Sequence, residues 1–223
     1  MKERPILFGP AMVRAILNGR KTQTRRIVKP PFELHANGYL TRPGKTERLQ
    51  PYPCPYGQVG GWLWVRETFF ESGHSQEAYP GDDEFSTWIP SGRVHYAADG
   101  LPPISGENKW AWPVGSKGRP TFTPDYGDNY WRKKPSIHMP RKHSRITLEI
   151  TRKRLQYLQD ITEADAEKEG VGFLRNIPDA DETLTSRDLF EILWDSINKK
   201  RGYEWESNPL VWVVDFKVME MEG

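Results

Sequence analysis

Cysteine is almost missing from this chain. Cys54 stands alone among 223 residues, which excludes an internal disulfide and any multi-cysteine zinc site. Histidine is nearly as sparse: His35, His74, His95, His138 and His143 show no HExxH or Cys/His ligand spacing, so no metal and no cofactor are expected. A glycine-rich phosphate loop of the Walker or dinucleotide type is also missing. No apolar run approaches the roughly 20 residues that span a bilayer, and Met1-Lys2-Glu3-Arg4-Pro5 lacks the apolar stretch of a signal peptide. A soluble, cytoplasmic protein with no membrane partner is therefore expected. There is no large excess of charge either. The 32 Lys and Arg against 30 Asp and Glu leave +2, so any basic surface must come from how the charges are distributed. Cys54, between Pro53 and Pro55, has no adjacent base and is not expected to act as a nucleophile.

Aromatic residues are what the chain has in quantity. Nine Trp, nine Tyr and nine Phe compensate for a hydrophobic content of only 36%, because each buries about 150–250 Å². The length suits one domain, or a compact domain that carries an insertion.

Residues 5–8 read as a short buried strand. Pro10 then opens a helix with Met12, Val13, Ile16 and Leu17 on one stripe, stopped by Asn18-Gly19. Lys21 falls in the following turn, and Thr24, Arg26 and Val28 share one face of the next strand. A second strand is expected over 58–70, centred on Trp62-Leu63-Trp64-Val65. From 71 to 134 the periodicity is lost among Gly, Pro and Asp, apart from a short strand at His95-Tyr96-Ala97, so this stretch reads as a long irregular insertion over a binding face. Alternation returns with Ile146, Leu148 and Ile150. Two capping boxes follow, Thr162-x-x-Asp165 and Thr185-x-x-Asp188. The first helix ends near Glu169-Gly170. The second carries Leu189, Phe190, Leu193, Trp194 and Ile197 on one face and ends in Lys199-Lys200-Arg201-Gly202. A buried strand over 210–218 closes an α+β fold.

Three constellations carry chemistry. Gly19-Arg20-Lys21-Thr22-Gln23-Thr24-Arg25-Arg26 concentrates donors on a rigid helix-to-strand turn, suited to an anion or a polar heterocycle; the plain alternative is a solvated turn. Glu169 is an acid in the last turn of a helix, where it opposes the dipole at a cost of about 0.3–1 kcal/mol. It serves either as one half of a salt bridge to a nearby cation or, in a partly dry pocket, as the group that orients Lys21 or holds a proton. The run 132–145 holds Arg132, Lys133, Lys134, Arg141, Lys142, Arg145, His138 and His143 with no acid, and Arg152-Lys153-Arg154 extends it. That density is the footprint expected for a phosphate backbone, against a merely solvated face. With Arg25, Arg26 and Arg66, the residues Lys133, Lys134, His138, Arg141, Lys142 and Arg145 are the candidate contacts to nucleic acid or nucleotide.

Several motifs together resemble the ASCH-domain family, in its longer form often found in bacteriophages and prophages. They are Gly19-x-Lys21-x-x-Thr24-x-Arg26, Trp62-Leu63-Trp64-Val65-Arg66-Glu67-Thr68-Phe69, Pro135-Ser136-Ile137-His138-Met139-Pro140-Arg141, Trp194-Asp195-Ser196-Ile197-Asn198 and Asn208-Pro209-Leu210-Val211-Trp212. The resemblance implies a single domain over 1–223, a PUA-like β-barrel with flanking helices, and an insertion at about 71–134. It implies a cleft that faces RNA or a modified nucleoside. A short bacterial member is a 4-acetylcytidine amidohydrolase that uses Lys, Thr and Glu, which fall on Lys21, Thr24 and Glu169 as catalytic residues. Other members bind RNA or cleave it, so a non-catalytic RNA-binding module and a ribonuclease stay open beside the amidohydrolase. The oligomeric state is left open too.

Overall fold

A computed structural model describes residues 3–35, 40–41, 52–77, 86–103, 108–111, 129–176 and 183–219. The chain divides into two compact units. One is made by Met1–Pro5, Ala15–Leu63 and Ile146–Gly223, the other by Ile6–Arg14 and Trp64–Arg145. In chain order the strands and helices are β1 (Glu3–Leu7), α1 (Pro10–Leu17), β2 (Gln23–Ile27), β3 (Glu33–Leu34), β4 (Leu40–Thr41), β5 (Trp62–Arg66), β6 (Phe69–Glu77), β7 (Ser86–Tyr96), β8 (Asn108–Ala111), β9 (Asn129–Lys134), β10 (Thr147–Tyr157), α2 (Glu163–Lys168), α3 (Ser186–Asn198) and β11 (Leu210–Val218). The fold is mixed α+β.

Five strands form a sheet of order β1-β5-β10-β11-β2, of which β10, β11 and β2 lie wholly in the first unit. β11 runs antiparallel to both β10 and β2. It is covered on both faces, which is why Leu210-Val211-Trp212-Val213-Val214 is a continuous apolar run rather than an alternating one. Val211 and Val213 pack with Leu158, Ile161, Ala166, Leu189, Phe190, Trp194 and Trp205 into one buried cluster under the helices. At the start of α3 the Thr185 and Asp188 capping box is complete. Glu163, at the start of α2, adds its carboxylate as acceptor for the Ser186 and Arg187 N–H groups. The apolar stripe of α3 stops one turn earlier than its sequence pattern indicates. Ile197 is 55% exposed, and Asn198 is buried in its place, donating to the Trp194 carbonyl.

The second unit carries a four-stranded sheet of order β7-β6-β9-β8. Four strands therefore lie in or across the stretch that reads as irregular in the sequence. The signal is hidden for local reasons. A register shift between Glu71 and Gly73 breaks the alternation of β6 against β7. β7 contains Pro90 and Gly92, and such residues are tolerated because β7 is an edge strand. Gly73 is required where it stands, since a Cβ there would lie 2.3 Å from the Ile89 carbonyl oxygen. The single strand expected over 58–70 is two, β5 and β6, with Glu67 and Thr68 between them. Among the described residues no helix is long and apolar enough to cross a membrane.

Candidate functional site

The site begins with the end of α1. Gly19 takes a left-handed conformation, φ 69°, and the chain turns back so that the N–H groups of both Arg20 and Lys21 donate to the Ala15 carbonyl at 2.9 and 3.0 Å. That explains the Gly19-x-Lys21 spacing: the glycine makes the cap, and the cap fixes the lysine. β2 then starts beside the C-terminus of α2, where the Thr22 N–H donates to the Lys168 carbonyl at 2.9 Å.

Lys21 and Glu169 meet there. The Lys21 ammonium donates to the Glu169 carboxylate at 2.7 Å, to the Glu169 carbonyl at 2.8 Å and to the Gln23 carbonyl at 2.8 Å. Both residues are 3% exposed. An ammonium on the last carbonyls of a helix complements its dipole, so Lys21 offsets the unfavourable position of Glu169. Burial holds the Lys21 ammonium below its ordinary pKa, and the attraction of Glu169 only partly opposes this. Gly170 makes the approach feasible. Its φ is 76°, and a Cβ there would lie 2.8 Å from the Lys21 Cβ and 3.0 Å from the Ala15 Cβ.

Gln23 and Arg25 project from the same face of β2 into a buried network that sequence reading missed. Arg25 donates to the Glu169 carboxylate at 3.1 Å, to Asp165 at 3.1 Å and to the Gln23 side chain. Arg154 donates to Asp165 at 2.7 Å and to Asp215 at 2.9 Å. Three cations, Lys21, Arg25 and Arg154, thus face three carboxylates, Glu169, Asp165 and Asp215. Burial pushes the Asp165 carboxyl up, but hydrogen bonding from Gln23 and the charges of Arg154 and Arg25 outweigh it and hold the group below its ordinary value. Asp165 is thereby drawn away from its expected capping role. Thr162 still accepts from the Asp165 N–H, but the Asp165 carboxylate serves the arginines. The signal for this network was the alternation itself, since Gln23-x-Arg25 is the other face of Thr24-x-Arg26.

Thr24 and Arg26 project from the opposite face. In register, Thr24 stands beside Val214 and Arg26 beside Trp212. Thr24 is buried, and among the described residues no hydrogen bond links its hydroxyl to Lys21 or Glu169. Arg26 lies within electrostatic reach of Tyr56, Glu169 and Arg201. Lys21 and Glu169 are therefore brought into direct contact, with Arg25 as a third partner, while Thr24 is one strand face away.

The remaining candidates lie in the second unit and divide into two groups. Arg145 is fully engaged. It donates to Glu67 at 2.9 and 3.2 Å and to Asp99 at 2.7 and 2.9 Å, and its guanidinium stacks 3.9 Å from the Tyr96 ring centroid. Arg66 donates to the carbonyls of Ser136 and Ile137, and Lys134 lies 3.6 Å from Glu71. Lys133, His138, Arg141 and Lys142 are exposed. Among the described residues no three His, Cys, Asp or Glu side chains converge to hold a metal ion. No family model matches the chain, and no curated protein or solved structure matches it.

Proposed function

We propose that the chain is an ASCH-type protein, its five-stranded sheet part of a PUA-like barrel, that binds RNA or a modified nucleoside and hydrolyses the amide of an acylated cytidine. The observation that carries this reading is the buried Lys21–Glu169 pair at 2.7 Å. An ammonium whose pKa is lowered by burial gives up its proton at less cost, and the Glu169 carboxylate is in place to take it. The neutral amine would then accept the proton of the Thr24 hydroxyl as that oxygen attacks the acyl carbon, a step that requires Thr24 and Lys21 to close on the substrate between them. Arg26, on the Thr24 face, supplies positive charge for the tetrahedral oxyanion. Collapse breaks the C–N bond, the cytosine nitrogen takes the proton back from Lys21, and water releases the acyl group from Thr24 as a carboxylate.

A second reading has its own support. The Lys21 ammonium is met by three oxygens of the protein, an arrangement equally suited to a structural pair beneath a non-catalytic RNA-binding face. The two readings separate when purified protein is incubated with N4-acylated cytidine and with labelled RNA and the products are resolved by chromatography. Release of free carboxylate and cytidine supports the hydrolase. RNA retention with no turnover supports the binding module, and shortened RNA would replace both with a nuclease.

A further inference from the structure

Glu169 is held from two sides, and only one of them is needed to balance its charge. Its Oε2 meets the Lys21 ammonium at 2.7 Å, and its Oε1 accepts from the Arg25 guanidinium at 3.1 Å. Lys21 alone would neutralise the carboxylate, so the second contact has another origin. The spacing along α2 sets its geometry. Asp165 lies within that helix and Glu169 is its C-cap, and side chains at i and i+4 sit on one face a turn apart. Arg25 spans the two. Its Nη1 donates to Glu169 and to the Gln23 side chain, and its Nη2 donates to Asp165 at 3.1 Å and to Gln156 at 3.3 Å.

The groups around the guanidinium are themselves fixed. Asp165 accepts from Arg154 at 2.7 Å and from the Gln23 amide at 3.2 Å. That amide also donates to Asp215, so Gln23 turns its donor end to two carboxylates and its acceptor end to Arg25. Gln156 donates in turn to the Asp160 carbonyl at 2.6 Å, and the Phe190 ring centroid lies 5.7 Å from the guanidinium carbon. The Arg25 side chain is wholly buried. Among the described residues its Nε–H has no acceptor. A buried donor left unpaired is a cost to folding, and a lysine would supply the charge without it. What a lysine lacks is the planar fork that reaches Glu169 and Asp165 at once. The position is built for the fork.

We propose that Arg25 is a positioning residue for the Lys21–Glu169 pair, its guanidinium fork locking the rotation of the Glu169 carboxylate so that Oε2 alone is presented to the Lys21 ammonium. The proposal rests on the reading of that pair as the reactive centre, and in it Arg25 acts through Glu169 rather than on the substrate. A carboxylate free to rotate would turn away from the ammonium for part of the time, and proton transfer would lose its fixed geometry. The charge of Arg25 also bears on Lys21. Burial is the first cause of the lowered Lys21 pKa and Glu169 opposes it, while the charges of Arg26 and Arg25 lower it further.

Steady-state hydrolysis of N4-acetylcytidine, with a parallel NMR titration of the Lys21 side-chain nitrogen, tests the role in wild type, Arg25→Gln and Arg25→Lys. In Arg25→Gln kcat should fall at least about tenfold while KM changes by less than about twofold. The Lys21 titration should move to higher pH, because a charge that opposes the ammonium is gone. Arg25→Lys keeps that charge, so the titration should stay near its wild-type position, but kcat should remain low because one ammonium cannot hold both carboxylates. Where Arg25→Gln does not fold, Arg25→Lys carries the test through kcat. Wild-type kcat in either variant would overturn the proposal, and a lowered unfolding midpoint alone would make Arg25 a structural residue only. Wild-type protein that hydrolyses no acylated cytidine would sink the proposed reaction and leave the titration to decide. An upward move in Arg25→Gln would then still tie Arg25 to the pair, and an unmoved titration would overturn the role.

Discussion

The stretch from Gly19 to Arg26 and the run from Arg132 to Arg145 are alike in sequence, both dense in cations, and unlike in what those cations meet. In the first, Lys21 and Arg25 are buried against Glu169 and Asp165, with Arg154 and Asp215 completing a balanced network. In the second, Arg145 and Lys134 are paired with carboxylates, while Lys133, Arg141 and Lys142 remain exposed. Cation density in a sequence therefore reports two different things. Where carboxylates arrive from distant elements, as Asp165 and Glu169 do from α2, the cations become internal structure. Where the side chains stay at the surface, as those of Lys133 and Lys142 do, they remain solvated. A buried, paired charge is costly to strand, and a solvated one is cheap to remove.

The largest effect should follow from breaking the buried side. Glu169→Ala leaves Lys21 and Arg25 without their shared carboxylate, and it should cost about 3–5 kcal/mol, read as a lowered midpoint in urea unfolding. A change of a few tenths would mean that water reaches the network and that the contrast with the exposed run is false.

Gly170→Ala comes next. The residue must leave a left-handed conformation or hold it under strain of about 1–2 kcal/mol, and its Cβ presses on the Lys21 Cβ at 2.8 Å. Lower stability, accompanied by loss of any turnover that wild type shows, would tie the glycine to the placement of Lys21. Full stability would mean that the helix end and the lysine are not in contact.

The pH dependence is smaller and has a definite sign. The folded-state pKa of Lys21 lies below its ordinary value of 10.5. Between those two values the unfolded chain holds more protons on this residue than the folded chain does, so stability attributable to Lys21 increases as pH rises through that window. Wild-type protein should gain stability relative to Lys21→Met on moving up through it, measured as the difference in urea midpoints. A difference that is flat or of opposite slope would mean that the pair with Glu169 outweighs desolvation.

The smallest effect on stability should come from the exposed side. Neutralising Lys133 and Lys142 together should leave the unfolding midpoint almost unchanged. It should flatten the salt dependence of RNA binding by about 0.7 in log–log slope for each lost phosphate contact. An unchanged slope would reassign those residues to a solvated surface.

Much of the frame was legible because local rules and burial agreed. β11 is apolar on both faces because it is covered on both, and Pro10 with Gly19 bounds α1 as a starter and a stop should. Thr185 and Asp188 cap α3 as their spacing indicates. The sheet of the second unit was not legible, since a register shift in β6 and the Pro90 and Gly92 of edge strand β7 erase the period-two pattern. In the site, Lys21 and Glu169 were legible through a turn glycine and an acid that opposes a helix dipole. Their partners were not. Gln23 shows only as the other face of Thr24-x-Arg26, and Arg154 and Asp215 come from separate strands with nothing local in either to indicate that they meet.

In the proposed reaction the buried Lys21 and the Thr24 on the adjoining strand face act together on an acylated cytosine. Steady-state hydrolysis of N4-acetylcytidine by wild type, Lys21→Ala, Thr24→Ala and the double variant tests it most directly. The expected result is that kcat falls steeply in each single variant with a much smaller change in KM, and that the double variant is scarcely worse than either, because groups acting as one unit do not add. Wild-type protein that turns over no acylated cytidine, or a Thr24→Ala variant as fast as wild type, would contradict it.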